Sequence, residues 1–526
     1  MRFRVKIPEI FLSLVFSIIA IFGYSFKTTN SSNLVFLYPI RFLILFFIYL
    51  ILFFIIIIYL EKKLLSYEKN TSSKICDFIF NKHLFLIPII IIICWLPYII
   101  IKYPGTPGWD FYYFLNGYYE YDSTLTHHFP LIYVYMCMYF IEFGVLINNV
   151  NFGLFLLTLF HASIMIISFS VVFKYLKKWN VSYRIRWFIL LFYSLMPLFG
   201  NYATTIYHDI IYSSLILLYV LLLTDVVSDN FLVIKKYIMI GILSLLLCLT
   251  RKNGVFIVLP TNFYIIYKYL SKKNCREKLV KIFCCVIPII LFCFSNYLFS
   301  LKYIKTSYLE AMSIPIQSIA RYSKYYNNDI TEEEKEAING VIDYDYAGIV
   351  YNPTIVDKTR NNYGNYNATG DEIIDFFKVW VKLFFRHPDS YIEAVVNTNY
   401  PLYYPFVNVT YTFFEVKSWD YDTYLDFDGP NALSEIRYKL RDINNKFETI
   451  PLLQYINDPG VYVWLLFFLI MLLFKKKKDL WLPLIPMIMT FACCLNAPTI
   501  DYNTRYVFPI IFSIFPLLAF CSQKIK

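Results

Sequence analysis

The chain has 526 residues, is 58% hydrophobic with a mean hydropathy of +0.53, and carries a formal net charge of +11. Several of its apolar runs reach the ~20 residues needed to cross hydrocarbon, which excludes a soluble globular enzyme and makes it an integral, multi-span membrane protein. The positive excess lies in short loops between those runs, where it orients a chain toward the cytoplasm, so it does not point to a nucleic-acid partner.

The start "MRFRVKIPEI" is basic and then apolar but lacks a small-residue cleavage site, and it reads as an uncleaved first helix. Apolar segments follow in order at 8–26, 36–60, 83–101, 129–147, 151–173, 187–203, 210–226, 237–250, 254–270, 280–300, 461–474, 480–496 and 506–522, thirteen candidates in all. The 11 cysteines lie in or beside these runs and none falls in 301–458, so there is no sign of a disulfide framework or a paired-cysteine metal site.

Charge decides the topology. The basic loops "EKKLLSYEKNTSSKICDFIFNK", "KYLKKWNVSYRIR", "KYLSKKNCREK", "KKKK" (475–478) and "SQKIK" should all be cytoplasmic. Thirteen full crossings would put the first on the opposite side from the rest, so one segment does not cross. The best candidate is 129–147, which carries Glu142 and closely follows a proline-rich loop; it is expected to lie along or re-enter the membrane surface. That leaves about twelve transmembrane helices, both termini cytoplasmic, and an outer face that gathers Asp110, His127, His128, His208, Asp209, Arg251, Lys252, Asp501 and Arg505. It also puts 301–458 outside. This insert holds 23 acids and 15 bases, a net of −8, which leaves +19 for the remainder of the chain.

Three regions result: helices and an outer loop (102–128) within 1–300, an extracytoplasmic and mainly helical insert at 301–458, and the last three helices at 459–526. In the insert, Thr331 with Glu334 three residues on reads as a helix start, and "GDEIIDFFKVWVKLFFRHPDSYIEAVVN" as an amphipathic helix up to Pro388, resting on the membrane or the bundle.

Four constellations carry chemistry. The loop "YPGTPGWDFYYFLNGYYEYDSTLTHHFP" brings Trp109, Asp110, Glu120, Asp122, His127 and His128 together after a stiff Pro/Gly turn. A carboxylate so held can act as a general base or hold a divalent cation, and the histidines can meet phosphate or metal; read plainly, the same residues are a wet loop and an interfacial aromatic belt. "TTIYHDIIYSS" sets His208 and Asp209 at a helix start, as a site or as a cap. In "CLTRKNGVFIVLP", Arg251 and Lys252 oppose the topology rule, so a phosphate or an acid of the insert should offset them. In "APTIDYNTRYVFP", Arg505 is a second phosphate contact or pairs with Asp501. Glu142 and His161 sit singly in apolar runs and read as satisfied bundle polar groups. No Walker loop, HExxH, GxSxG or GxGxxG occurs, which removes support for an ATP-driven pump, a zinc protease or a serine hydrolase.

An early outer loop with Asp110 after an aromatic, the "HHFP" step, a later His-Asp pair and a dozen or so spans together resemble the GT-C superfamily of polyprenyl-phosphate-sugar glycosyltransferases. More closely, "YPGTPGWD", "HHFP", "YHDIIYS", "TRKNG", "SIPIQSIARY", "YNP" and "RYVFP" resemble an uncharacterised GT-C-like membrane family common in Firmicutes. The resemblance implies an inverting transfer of a sugar from a polyprenyl-phosphate donor to a glycan, lipid or protein acceptor of the cell envelope, at the outer face of the cell membrane. By it, Asp110 is the first-loop acid that serves as base or metal ligand and Asp209 is a second acid. Arg251, Lys252 and Arg505, with His127 and His128, hold the lipid phosphate, and Trp109, His208 and Asp501 are auxiliary or face the acceptor. The chain departs from the usual pattern in "HHFP", where two prolines are expected, and in a single Asp110 where some members carry paired acids; no cofactor other than a divalent cation is implied. A flippase or transporter of lipid-linked saccharide, and a glycan polymerase or ligase, are the competing functions.

Overall fold

The architecture comes from a computed structural model that describes residues 6–66, 74–119, 129–228, 233–270, 278–303, 307–407, 409, 424–476, 480–496 and 504–525. It is almost entirely helical; the described residues hold one two-stranded sheet. Each of the thirteen apolar segments is helical. The first ten correspond to α1 (Ile7–Thr29), α2 (Pro39–Leu65), α3 (Leu86–Ile101), α5 (Leu131–Leu146), α6 (Val150–Lys178), the broken pair α7 (Tyr183–Leu195) and α8 (Pro197–Ala203), α9 (His208–Ser228), α10 (Ile234–Thr250), α11 (Gly254–Leu270) and α12 (Lys278–Lys302). Between α3 and α5 a short helix, α4 (Trp109–Tyr119), starts at the tryptophan of the outer loop. The segment at 187–203 breaks because Pro197 cannot continue the preceding helix and pushes Met196 to an extended conformation.

Among the described residues six helices are long and apolar enough to cross a membrane: α1, α2, α6, α9, α12 and the last, Thr504–Ile525. A seventh results if Lys74–Lys82 and Leu86–Ile101, which meet at a 99° bend, form one span. The chain is therefore an all-α membrane protein. In α2 only Phe42, Phe53, Ile57 and Glu61 are buried, so most of its apolar surface is turned outward. By contrast α9 is buried nearly all round, and it forms the centre of the bundle with the last helix.

Residues 307–399 build a small helical body with a hydrophobic core of its own, including Leu309, Ile316, Ile319, Tyr322, Ile338, Tyr344, Phe376, Leu383 and Tyr391. Its helices are α13 (Ser313–Tyr326), α14 (Glu332–Asn339), α15 (Gly370–Arg386) and α16 (Pro388–Asn399). Thr331 and Glu334 form the expected capping box, and Thr369 with Glu372 form a second at the start of α15. The chain then passes through α17 (Ser434–Phe447) into α18 (Pro459–Lys476), α19 (Ile485–Asn496) and α20 (Phe508–Ile525).

Charged contacts mark the two ends of the bundle. At one end, Lys475 of α18 meets Glu9 in the first turn of α1 (2.5 Å) and Glu61 in the last turns of α2 (2.7 Å). At the other end of α1, Ser31 Oγ (2.9 Å), Ser32 N–H (2.7 Å) and Ser32 Oγ (2.6 Å) all donate to Glu393 of α16, whose other oxygen pairs with buried Arg321. The helical body at 307–399 is thus keyed to the end of α1 that lies about 33 Å from Lys475, given 1.5 Å of rise per residue. Lys178 at the end of α6 and Lys236 at the start of α10 both face Asp225 near the end of α9 (2.5 and 3.7 Å).

α5 forms a tight hairpin with α6. A Cβ on Gly153 would lie 2.5 Å from the Phe140 carbonyl oxygen, so these backbones touch, and Tyr133 near the other end of α5 meets His161 Nε2 at 3.0 Å. α5 therefore runs from the level of His161 back to the first residues of α6, along only the half of α6 distant from Lys178. Glu142 is exposed on this helix and lies beside Tyr118 and Tyr119. His161 is buried and satisfied by Tyr133 and by the Leu157 carbonyl (2.9 Å), as expected.

Candidate functional site

The sheet joins the "YPGTPGWD" and "TTIYHDIIYSS" motifs. Thr106 and Pro107 (β1) pair in parallel with Thr205 and Ile206 (β2), the Thr106 N–H donating to Thr204 O at 2.9 Å. The two hydroxyls of Thr106 and Thr205 are 2.9 Å apart, and Thr205 Oγ1 donates to Asn201 O at 2.9 Å. Beyond the strands the two chains keep step. Phe111 N–H closes a turn onto Gly108 O (3.0 Å) and Ile210 N–H onto Tyr207 O (3.2 Å), and each then enters a helix. Asp110 and Asp209 are consequently the third residues past the paired Pro107 and Ile206, each in the first turn of its helix.

Two glycines permit this. Gly105 has φ +126°, and a Cβ there would sit 2.0 Å from Thr158 Oγ1, which itself donates to Pro104 O at 3.0 Å. A Cβ on Gly108 would fall 2.4 Å from the Tyr207 ring, so the ring can lie directly over the turn. The turn that broke the third helix in the sequence is therefore packed against both α6 and the second motif.

Between the two acids lies Arg505, from the one-turn 3-10 helix Thr504–Val507 that opens the last span. Its Nη1 is 3.4 Å from Asp110 Oδ2 and its Nε 3.8 Å from Asp209 Oδ2. The guanidinium sits over the Tyr207 ring (4.2 Å) and near that of Tyr506 (5.1 Å), and Nη2 donates to Tyr506 Oη at 3.3 Å. Arg251, the residue that ends α10, places Nη1 2.5 Å from Asp209 Oδ1 and lies between the rings of Tyr212 (5.6 Å) and Tyr506 (5.7 Å). His208 Nε2 is 3.8 Å from the same Asp209 oxygen, and Tyr133 stands edge-on to the His208 ring. The side chain of Asp209 is 2% exposed and that of Asp110 28%, so the two acids differ in what can reach them.

These distances revise several expectations. Asp110, Asp209, Arg251 and Arg505 do converge, from four separate stretches of chain. The acid opposite Arg251 is Asp209 rather than an acid of the insert, and the acids opposite Arg505 are Asp110 and Asp209. Asp209 turns its carboxylate to arginine and does not cap its helix. Lys252 lines a neighbouring cleft with Pro130, Leu131, Phe292, Ser295 and Asn296. Trp109 begins α4 and is half exposed. Glu120, Asp122, His127, His128 and Asp501 lie outside the described residues. Tyr207, Tyr212 and Tyr506 were not singled out from sequence, although each stands within or beside a quoted motif. Among the described residues no group of three or more His, Cys, Asp or Glu is arranged to hold a metal ion.

A family model matches residues 118–526, which takes in Asp209, Arg251 and Arg505 and begins after Asp110. The chain belongs to DUF6020. That is a family of unknown function, and no curated protein and no solved structure is significantly similar to this member.

Proposed function

We propose that this DUF6020 protein is a GT-C-type glycosyltransferase that moves a sugar, with inversion, from a polyprenyl-phosphate donor to a cell-envelope acceptor at the outer face of the cell membrane. The observation that carries this reading is the in-register pairing of two loops about 100 residues apart, which sets two acids side by side with two arginines at one end of an apolar bundle. Irregular backbone and charge at membrane depth are costly and are retained where they line a site. Asp110, the accessible acid, is the general base toward the acceptor hydroxyl. Lys252, between apolar α5, α10 and α12 with Ser295 and Asn296 beside it, is the cation that meets the lipid phosphate. Arg251 and Arg505 hold the acid pair and add positive potential behind it.

In this reading about twelve helices cross, α5 re-enters without crossing, both termini are cytoplasmic, and the body at 307–399 recognises the acceptor outside. The hairpin supports it, because α5 accompanies only the half of α6 distant from Lys178. The separation of Lys475 from Glu393 along α1 supports it as well. A transporter is less well supported, since its ionisable groups are expected near the middle of helices and these sit at one end. A polymerase or ligase of lipid-linked glycans would use the same outer-face site.

The decisive experiment is transfer from a polyprenyl-phosphate sugar by purified protein and by D110N. Loss of transfer in a folded D110N variant supports the assignment, and a normal rate removes Asp110 as the base. A cysteine introduced within 330–340 should react with a membrane-impermeant reagent on intact cells; absence of labelling would reverse the topology.

A further inference from the structure

The GT-C resemblance leaves Asp110 two roles, base or ligand of a divalent cation, and the residues present do not fit the second. We infer that Arg505 is the built-in cation of the acid pair: its guanidinium takes the place between Asp110 and Asp209 that a shared divalent ion would need, so this site works with an organic cation and no metal. The inference rests on the proposed function only for what the acids do, since the arrangement itself is independent of it.

The guanidinium is anchored on every side. It faces one oxygen of each acid (3.4 and 3.8 Å), lies 4.2 Å over the Tyr207 ring, and donates to Tyr506 Oη. The other Asp209 oxygen is engaged by Arg251 at 2.5 Å. Among the described residues two carboxylates thus meet two guanidiniums, and the charge of these four groups is balanced. A Mg²⁺ or Ca²⁺ ion needs six or more oxygen ligands at about 2.0–2.6 Å. Here it would have to displace Arg505 from between its rings and sit beside Arg251, with like-charge repulsion from both. The fixed geometry also gives Arg505 a positioning role: it sets the separation of the acids and leaves the exposed edge of Asp110 toward the acceptor.

The test is Mn²⁺ binding to the purified full-length chain, by electron paramagnetic resonance and calorimetry, for wild type, D110N, R505K and R505Q. The expected result is that wild type and R505K, which keep the positive charge, show no Mn²⁺ site that D110N removes. R505Q, similar in reach but uncharged, gains one stoichiometric site at least tenfold tighter than any wild-type binding, and D110N combined with R505Q loses it. A stoichiometric Mn²⁺ site in wild type that D110N abolishes would overturn the inference, and it needs no Arg505 variant to fold. If sugar transfer is found, it should be unchanged by EDTA; loss of transfer restored by Mg²⁺ would also overturn it. If no transfer is found, the function reading fails while the Mn²⁺ result still decides this one.

Discussion

The Lys475–Glu9–Glu61 cluster and the Asp110–Asp209–Arg251–Arg505 cluster are both ion networks of this bundle, but they draw on different parts of the chain. The first joins residues in the regular end turns of α1, α2 and α18. The second is assembled around breaks in regularity: its two acids lie in the first helical turn after each strand, Arg251 is the extended residue that ends α10, and Arg505 lies in a single 3-10 turn. An ion network made of regular helix fastens helices to one another. The second carries further devices, two threonines, two glycines and three tyrosines, and that added construction is what the proposed function draws on.

Breaking the two clusters should therefore give opposite phenotypes. D110N should cost about 10²–10⁴-fold in transfer, the usual contribution of a positioned general base, with a near-normal melting temperature. K475M should do the reverse. It leaves Glu9 and Glu61 facing each other without their cation, and loss of one partner from a buried network costs about 3–5 kcal/mol, read as a lowered melting temperature in detergent with the activity of the surviving folded protein retained. G105A joins the classes, because the φ of +126° and the 2.0 Å approach to Thr158 strain the turn that aims Asp110. Strain of this kind costs about 1–3 kcal/mol, so both stability and transfer should fall.

The smallest effect lies outside the candidate spans and concerns pH. The hydrogen bond from Arg386, with Lys382 adjacent, holds the buried Glu334 carboxyl down to about 2 from its ordinary 4.5. A depressed carboxyl stabilises the fold fully above its unfolded value, and that stability is lost as pH falls from about 4.5 through about 2. E334Q should remove this acid sensitivity and cost about 1–3 kcal/mol near neutral pH, measured by unfolding followed across pH 3–7. An identical acid midpoint in E334Q and wild type would show that another group controls it.

The helices and their caps were legible because their signals are local. All thirteen apolar segments are helical, and Thr331 with Glu334 announced a helix start by spacing alone. That Asp110, Asp209, Arg251 and Arg505 lie together at one end of the bundle was legible too, since charges that membrane depth penalises stand out in an apolar chain. What the site residues pair with was not. Two-residue strands carry no periodicity, so nothing local linked Thr106 to Thr205. Arg251 and Arg505 were expected to need phosphate because their acids lie 42 and 395 positions away in the chain. The tyrosines went unremarked for a plainer reason: in a chain with 49 of them, Tyr207 and Tyr506 gain meaning only from the guanidinium they hold.

The two-stranded pairing also has a mechanical consequence. It works as a seam, stitching the exit of α3 to the entrance of α9 through backbone, so the two halves that meet there move as one body. Rocking those halves apart would tear the seam in a setting with little water to replace its hydrogen bonds. A ligand for Asp110 would therefore have to approach from the unstitched side, where Trp109 is half exposed.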